Sequence, residues 1–162
     1  MVQKRKAPMK YDISVVTVAA RTLAACRGQA RLGEIGAVAM PALDKVWAFL
    51  KANPDLQQPG GHNVFLYYHP ANRDDPMTID FGVEVATAFA PKDGISVVET
   101  PAGQAARTLY VGPYSQMHPA HQAIHQWCAQ NGKKIGGMSW EVYGDWTKDE
   151  SKLETEIFYL LV

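Results

Sequence analysis

The sequence predicts an α+β fold: a strand-helix-strand-strand unit duplicated in tandem, forming one antiparallel sheet with two helices on one face and a groove on the other. Three observations carry this. ISVV occurs at residues 13–16 and again at 95–98, an offset of 82. Two amphipathic helical stretches repeat at an offset of 78, where Pro41, Val46, Phe49, Leu50 and Asn53 match Pro119, Ile124, Trp127, Cys128 and Asn131. Val83-Glu84-Val85 then matches Thr155-Glu156-Ile157 at an offset of 72, the shrinking offset reflecting shorter loops in the second copy.

Taken in order, residues 1–10 (MVQKRKAPMK) hold Lys4, Arg5, Lys6 and Lys10 with no acid among them. Four charges on a short terminus read as a flexible, solvated tail. A single domain is expected over 11–162, as pseudo-repeats 11–90 and 91–162. ISVV opens the first repeat as a β-branched strand. MPALDKVWAFLKAN follows as a helix, with its proline in the first turn, where a missing N–H has no intrahelical partner. The glycine pair at 60–61 marks a turn from helix to strand, and VFLYYH and MTIDFGVEVATAF read as two strands. FAPKDG, residues 89–94, is the joint. The second repeat has the same order, with HPAHQAIHQWCAQN as its helix and GGMSWEVYGDW and LETEIFYLLV as its later strands. Each unit has too few strands to bury a helix and sheet alone, so the two gain by joining sheets side by side.

Composition narrows the function classes. A chain of 162 residues with 47% hydrophobic content suffices for one well-buried core. Lys+Arg and Asp+Glu number 16 each, so net charge makes no case for nucleic acid or an anionic membrane. No apolar run approaches the roughly 18 to 20 residues that span a bilayer, and no apolar segment follows the basic leader as in a secretory signal. The expected location is cytoplasmic. Cys26 and Cys128 lie in apolar surroundings without metal-ligand spacing and read as reduced core residues.

WEVYGDW, residues 140–146, places a carboxylate in an otherwise aromatic strand. Side chains alternate, so Ser139, Glu141, Tyr143 and Asp145 share one face and Trp140, Val142 and Trp146 the other. The second set is apolar enough to be the helix-covered core, which points Glu141 to the concave side. There, unless paired, it is partly desolvated, its pKa tends upward and it attracts a cation. Such a group serves as counter-charge to an organic cation held between aromatic rings, or as a general base. The plainer alternative is an ordinary cross-strand pair with Arg107 or Arg21. Tyr67, Tyr68, Tyr110 and Tyr114 read equally as half-buried structural residues or as ring clamps.

The stretch from TLYVGPYSQMHPAHQAIHQWCAQN through SWEVYGDW to LETEIFYLLV resembles the second half of the GyrI-like small-molecule-binding family, the effector-binding domain of bacterial transcription activators. The features are the G-x-Y turn at Gly112-Pro113-Tyr114, the helix ending in Trp127, the W-E-x-Y strand at Trp140 to Tyr143 and the T-E-I at Thr155 to Ile157. VFLYYHP and IDFGVEV extend the likeness to nearly the whole chain from Tyr11. The resemblance implies a groove for a small aromatic or cationic organic molecule, with Glu141 at its floor supported by Tyr143 and by Tyr110, Tyr114 and Tyr67.

The resemblance leaves three functions open. The first is a stand-alone binding module that sequesters, senses or detoxifies such compounds. The second is a cofactor-independent hydrolase opening strained cyclopropane rings of DNA-alkylating natural products, in which Glu141 activates water. The third is a protein-interaction role such as inhibition of DNA gyrase, for which no residue identifies the partner. Only about ten residues precede the first strand, too few for a helix-turn-helix, so direct nucleic-acid binding is not expected. His118, His121 and His125 have spacings that bring imidazoles together, but no further ligand follows nearby and Ile124, Trp127 and Cys128 mark the helix's buried face. Neither a metal nor a cofactor is expected. The glycine pairs follow helices rather than leading into them, the reverse of a phosphate loop.

Overall fold

The computed structural model describes residues 11–162; the basic leader, with the flexible-tail expectation attached to it, lies outside the described residues. The first half contains β1 (Ser14–Val18), β2 (Thr22–Ala30), α1 (Ile35–Ala52), β3 (Asn63–Tyr68) and β4 (Met77–Glu84). The second contains β5 (Ile95–Glu99), β6 (Gly103–Val111), α2 (His118–Gln130), β7 (Ile135–Tyr143) and β8 (Glu154–Leu161). All eight strands join one antiparallel sheet in the order β1-β6-β8-β7-β3-β4-β2-β5. The α+β class and the duplication stand. Among the described residues no helix is long and apolar enough to cross a membrane.

Each half nonetheless has two strands before its helix, where the sequence predicted one. The extra strands, β2 and β6, carry small residues where helices lie close against them, glycine and alanine in β2 and alanine in β6. A Cβ on Gly28 would come within 3.1 Å of Val38 and 3.2 Å of Phe81, and Ala24, Ala30 and Ala106 belong to the clusters under the helices. Small side chains suit that approach and leave little of the β-branched signal that announces a strand. Helix α1 also starts earlier than predicted, which places Pro41 inside it rather than in its first turn. Pro119 does occupy the first turn of α2. The repeated asparagines are equivalent caps: Asn53 Nδ2 donates to the Phe49 carbonyl at 2.9 Å and Asn131 Nδ2 to the Trp127 carbonyl at 2.8 Å. The first takes up a carbonyl that its backbone N–H leaves open by turning to Leu50, and the second adds a bond to a carbonyl that already accepts the Asn131 N–H at 3.0 Å.

The sheet order reads the same from either end once the halves are exchanged. Each half contributes its first strand to the other, β1 pairing with β6 and β5 with β2. The halves meet at β3 and β7, where Phe65 is paired with Glu141. Aligning the glycine pairs Gly60-Gly61 and Gly136-Gly137 makes Phe65 the counterpart of Glu141 in the repeat. The carboxylate therefore stands beside the pseudo-twofold axis.

Which face carries the helices corrects the sequence reading. Helix α1 packs on Phe65, Tyr67, Ile79 and Phe81, and α2 on Ala106, Tyr110, Ile157 and Tyr159. The opposite face gathers Leu23, Val64, Leu66, Ala105, Trp140, Val142 and Phe158 with no helical residue among them. Val16 and Val18 from β1 and Val98 from β5, at opposite ends of the order, pack against that same cluster. The twisted sheet curls around this face and buries it on itself, which leaves Trp140 at 1% exposure, stacked on Phe158. Alternation separated Ser139, Glu141 and Tyr143 from Trp140 and Val142 correctly, but not Trp146, which follows the strand and lines the same cleft as Glu141. Both faces are buried, however, so apolar content does not tell which one a helix covers. Glu141 and Tyr143 face the helices, while Asp145 and Trp146 lie beyond the end of β7.

Candidate functional site

Helices α1 and α2 each cover their own half of the sheet and leave an open cleft between them over the central strands, about 2530 Å³ in volume. That exceeds the roughly 300–1,000 Å³ of a closed small-molecule pocket, so the cleft is a groove open to solvent. It lies on the helix-bearing face, not the opposite one as the sequence suggested. Phe65, Tyr67, Ser139, Glu141, Tyr143 and Tyr159 line it from the strands, Ala39 and Leu43 from α1, and His118, His121 and His125 from α2. Around it stand exposed apolar side chains: Leu32, Met40, Trp47, Tyr114 and Trp146 all line the cleft and are open to solvent.

Glu141 is 5% exposed at the cleft floor. Its Oε1 accepts hydrogen bonds from the Tyr67 hydroxyl and, at 2.7 Å, from the Tyr143 hydroxyl. Its Oε2 lies 2.8 Å from His121 Nε2, and His121 Nδ1 lies 2.7 Å from the Tyr159 hydroxyl. Burial is the largest influence on the carboxyl and pushes its pKa up. The hydrogen bond and charge of His121, with the two tyrosine hydroxyls, outweigh it and hold the carboxyl below its ordinary value. The upward shift expected of an unpaired acid is therefore reversed. Burial first, then the adjacent carboxylate, raises Tyr67 and Tyr143 well above the ordinary phenol value, so both remain protonated donors.

A second polar group adjoins this one. His69 Nε2 lies 2.7 Å from Ser139 Oγ, and the His69 ring stacks on Tyr159 at 5.8 Å between centroids. His125 meets the same tyrosine edge-on at 4.8 Å. Both imidazoles are held below their ordinary value, by burial first and then by neighbouring positive charge, from His125 and His121 on His69 and from His121 and Arg73 on His125. Among the described residues no group of three or more His, Cys, Asp or Glu side chains is placed to hold a metal ion.

The structure gathers Glu141, Tyr67 and Tyr143 at the floor and sets Tyr114 at the edge, T-shaped against Tyr143 with centroids 5.3 Å apart. It does not bring Tyr110 there. That hydroxyl donates to the Pro113 carbonyl at 2.7 Å and lies 2.9 Å from where a Cβ on Gly112 would be. Gly112 has φ of 145°, so Tyr110 and this glycine build the turn rather than line the cleft. The cross-strand alternative for Glu141 also finds no support, since Arg21 pairs with Glu84 at 3.0 Å and Arg107 with Glu156 at 2.9 Å. His121, Tyr159 and His69 were not singled out as site residues. His121 sits one residue past Ala120 in the buried stripe of α2, on the flank facing the other half. Only the docking of two halves makes that flank a cleft wall.

Residues 11–161 match the GyrI-like small molecule binding domain family. No curated protein matches the chain. Among solved structures, the EcmrR C-terminal domain is similar, with a TM-score of 0.79 at 21% identity over 95% of this chain and 99% of that one. SAV2435, solved bound to tetraphenylphosphonium, has a TM-score of 0.70 at 14% identity over 95% of this chain and 94% of that one. A hydrolase from Listeria innocua is more distant, with a TM-score of 0.56 at 11% identity over 93% of this chain and 91% of that one. At these identities the likeness to solved structures is one of fold.

Proposed function

Because the chain belongs to the GyrI-like small molecule binding domain family over residues 11–161, we propose that it binds small lipophilic, aromatic or cationic compounds in the cleft between its halves, with Glu141 as their polar centre. The observation that carries this is a buried carboxylate ringed by tyrosines at the floor of a cleft whose edge exposes Leu32, Met40, Trp47 and Trp146. Exposed apolar side chains grouped around one cavity mark a surface meant to be covered. The aromatic rings of Phe65, Tyr143 and Tyr114, each edge-on to the next, offer flat contacts to a flat ligand. An organic cation gains from ring faces and carboxylate together. Tetraphenylphosphonium on the related fold of SAV2435 is a compound of this kind.

The hydrolase alternative draws less support from Glu141. A carboxylate held below its ordinary value and engaged at both oxygens is a weak base for activating water. The test is a titration of the chain with tetraphenylphosphonium and with a neutral polyaromatic compound, read by tryptophan emission and calorimetry, with Glu141→Gln alongside. Saturable binding of both is expected, and the variant loses affinity for the cation by about tenfold or more, the cost of removing one charged partner. Mass analysis of a cyclopropane-bearing alkylator after incubation decides the alternative: product that accumulates only with Glu141 intact makes the chain a hydrolase.

A further inference from the structure

Glu141 does not wait for a ligand with its charge free. Its Oε1 holds two tyrosine hydroxyls and its Oε2 an imidazole, all within a nearly closed floor. We propose that His121 is a resident cation competing with the ligand for Glu141, so that a permanently charged organic cation binds with release of one proton while a neutral aromatic compound binds without that exchange. This rests on the cleft being the ligand site.

The charges decide it. With His121 protonated, imidazolium and carboxylate cancel, and a further positive charge brought to the floor is uncompensated in a poorly solvated place. With His121 neutral, the floor carries the carboxylate charge and an incoming cation cancels it. One positive charge enters as one leaves: the proton on Nδ1 passes to solvent, while Nε2–H stays as the donor to Glu141. The partner at Nδ1 makes this exchange inexpensive. It is the Tyr159 hydroxyl, 2.7 Å away, and a hydroxyl accepts from imidazolium as readily as it donates to the neutral ring. A carbonyl or carboxylate there would favour a single protonation state.

Other groups facing His121 leave it as the carrier of the charge. Glu141 and Tyr143 come from β7, Tyr67 from β3 and Tyr159 from β8, and the three phenols are all raised above their ordinary value. From the segment after β3 and from α2 itself, His69 and His125 are lowered. His118, Arg73 and Asp44 line the same cleft. Of the imidazoles whose hydrogen bonds are described, only His121 reaches a carboxylate.

The experiment is isothermal titration of the full chain with tetraphenylphosphonium and with the neutral triphenylphosphine oxide, between about pH 5.5 and 8.5, where imidazoles change charge. Buffers of different ionisation enthalpy count the protons released. The phosphonium dissociation constant is expected to fall about tenfold per pH unit on the acid side, with about one proton released per ligand, while the oxide stays flat. In His121→Gln and His121→Asn, with folding checked by circular dichroism, the phosphonium dependence should flatten. Equal pH dependence for both ligands, no proton release in the native chain, or a slope that survives in a folded variant overturns the proposal. If neither ligand binds at any pH, the cleft as ligand site falls as well.

Discussion

At the scale of single residues, the site is a set of groups whose protonation the fold has moved. Glu141 is lowered from an ordinary 4.5, and His69 and His125 are lowered from 6.5. All three bind protons less readily in the folded chain than in the unfolded one, so each contributes stability that is full above its ordinary value and lost as pH falls through its folded value. The melting temperature should therefore be flat only between these histidines and the phenols, declining below about 6.5 as the two histidines take up protons and again in the acid range from the carboxylate. It should decline also above 10.0, where the unfolded chain ionises phenols that the fold keeps protonated at Tyr67, Tyr143 and Tyr159. Glu141→Gln should destabilise the native chain by about 2 kcal/mol near neutrality, the scale of a buried charged hydrogen bond. That difference should close once Glu141 itself is protonated, while the histidine step persists in the variant. Thermal scans across pH check each part, and a constant difference between the two proteins at all pH would contradict the lowered carboxyl. At this scale the sequence pointed to Glu141 and Tyr143 through their position in an aromatic strand. It gave no hint of His121 as partner, because the pairing crosses from a helix flank to a strand 20 residues later.

At the scale of elements, what was legible depended on side-chain size. Helix α2 and strands β3, β4, β7 and β8 announce themselves by apolar periodicity, β-branched residues and aromatic rings. Strand β2 carries alanine and glycine, and β6 Ala106, where the helices approach, so packing removed the signal that would have revealed them. The first turn of α1 was hidden for a different reason: a proline read as a helix start lies inside the helix. Pro41 offers no N–H to the carbonyl of Ala37 and crowds it, an arrangement that costs about 3 kcal/mol in a regular helix. Its side chain is exposed, so replacing it disturbs no core contact. Pro41→Ala should stabilise the chain by about 1–3 kcal/mol, seen as a higher denaturation midpoint with an unchanged slope. A loss of stability would show that the ring's restriction of the unfolded chain outweighs the missing hydrogen bond.

At the scale of the whole molecule, duplication supplies a symmetric frame whose contents have diverged. The pseudo-axis passes between Phe65 and Glu141, and the repeat offset that equates the helices sets Leu43 of α1 against His121 of α2. One wall of the cleft is accordingly apolar and the other polar, a division suited to a ligand with a lipophilic body and one charged or hydrogen-bonding end. The duplication was readable from repeated residues, but the side on which the cleft opens was not, because both faces of the sheet are buried. Tryptophan emission distinguishes the two faces. Trp47 and Trp146 line the cleft with exposures of 39% and 71%, whereas Trp140 is sealed into the opposite face. A ligand settling between the helices covers indoles that were in water, so emission should shift to the blue or be quenched by ligand contact. Trp47→Phe combined with Trp146→Phe should remove most of that response, with calorimetry still detecting the ligand. Were the full response to survive in the double variant, Trp127 or Trp140 would be its source, and a ligand on the curled face behind the sheet would become the better explanation.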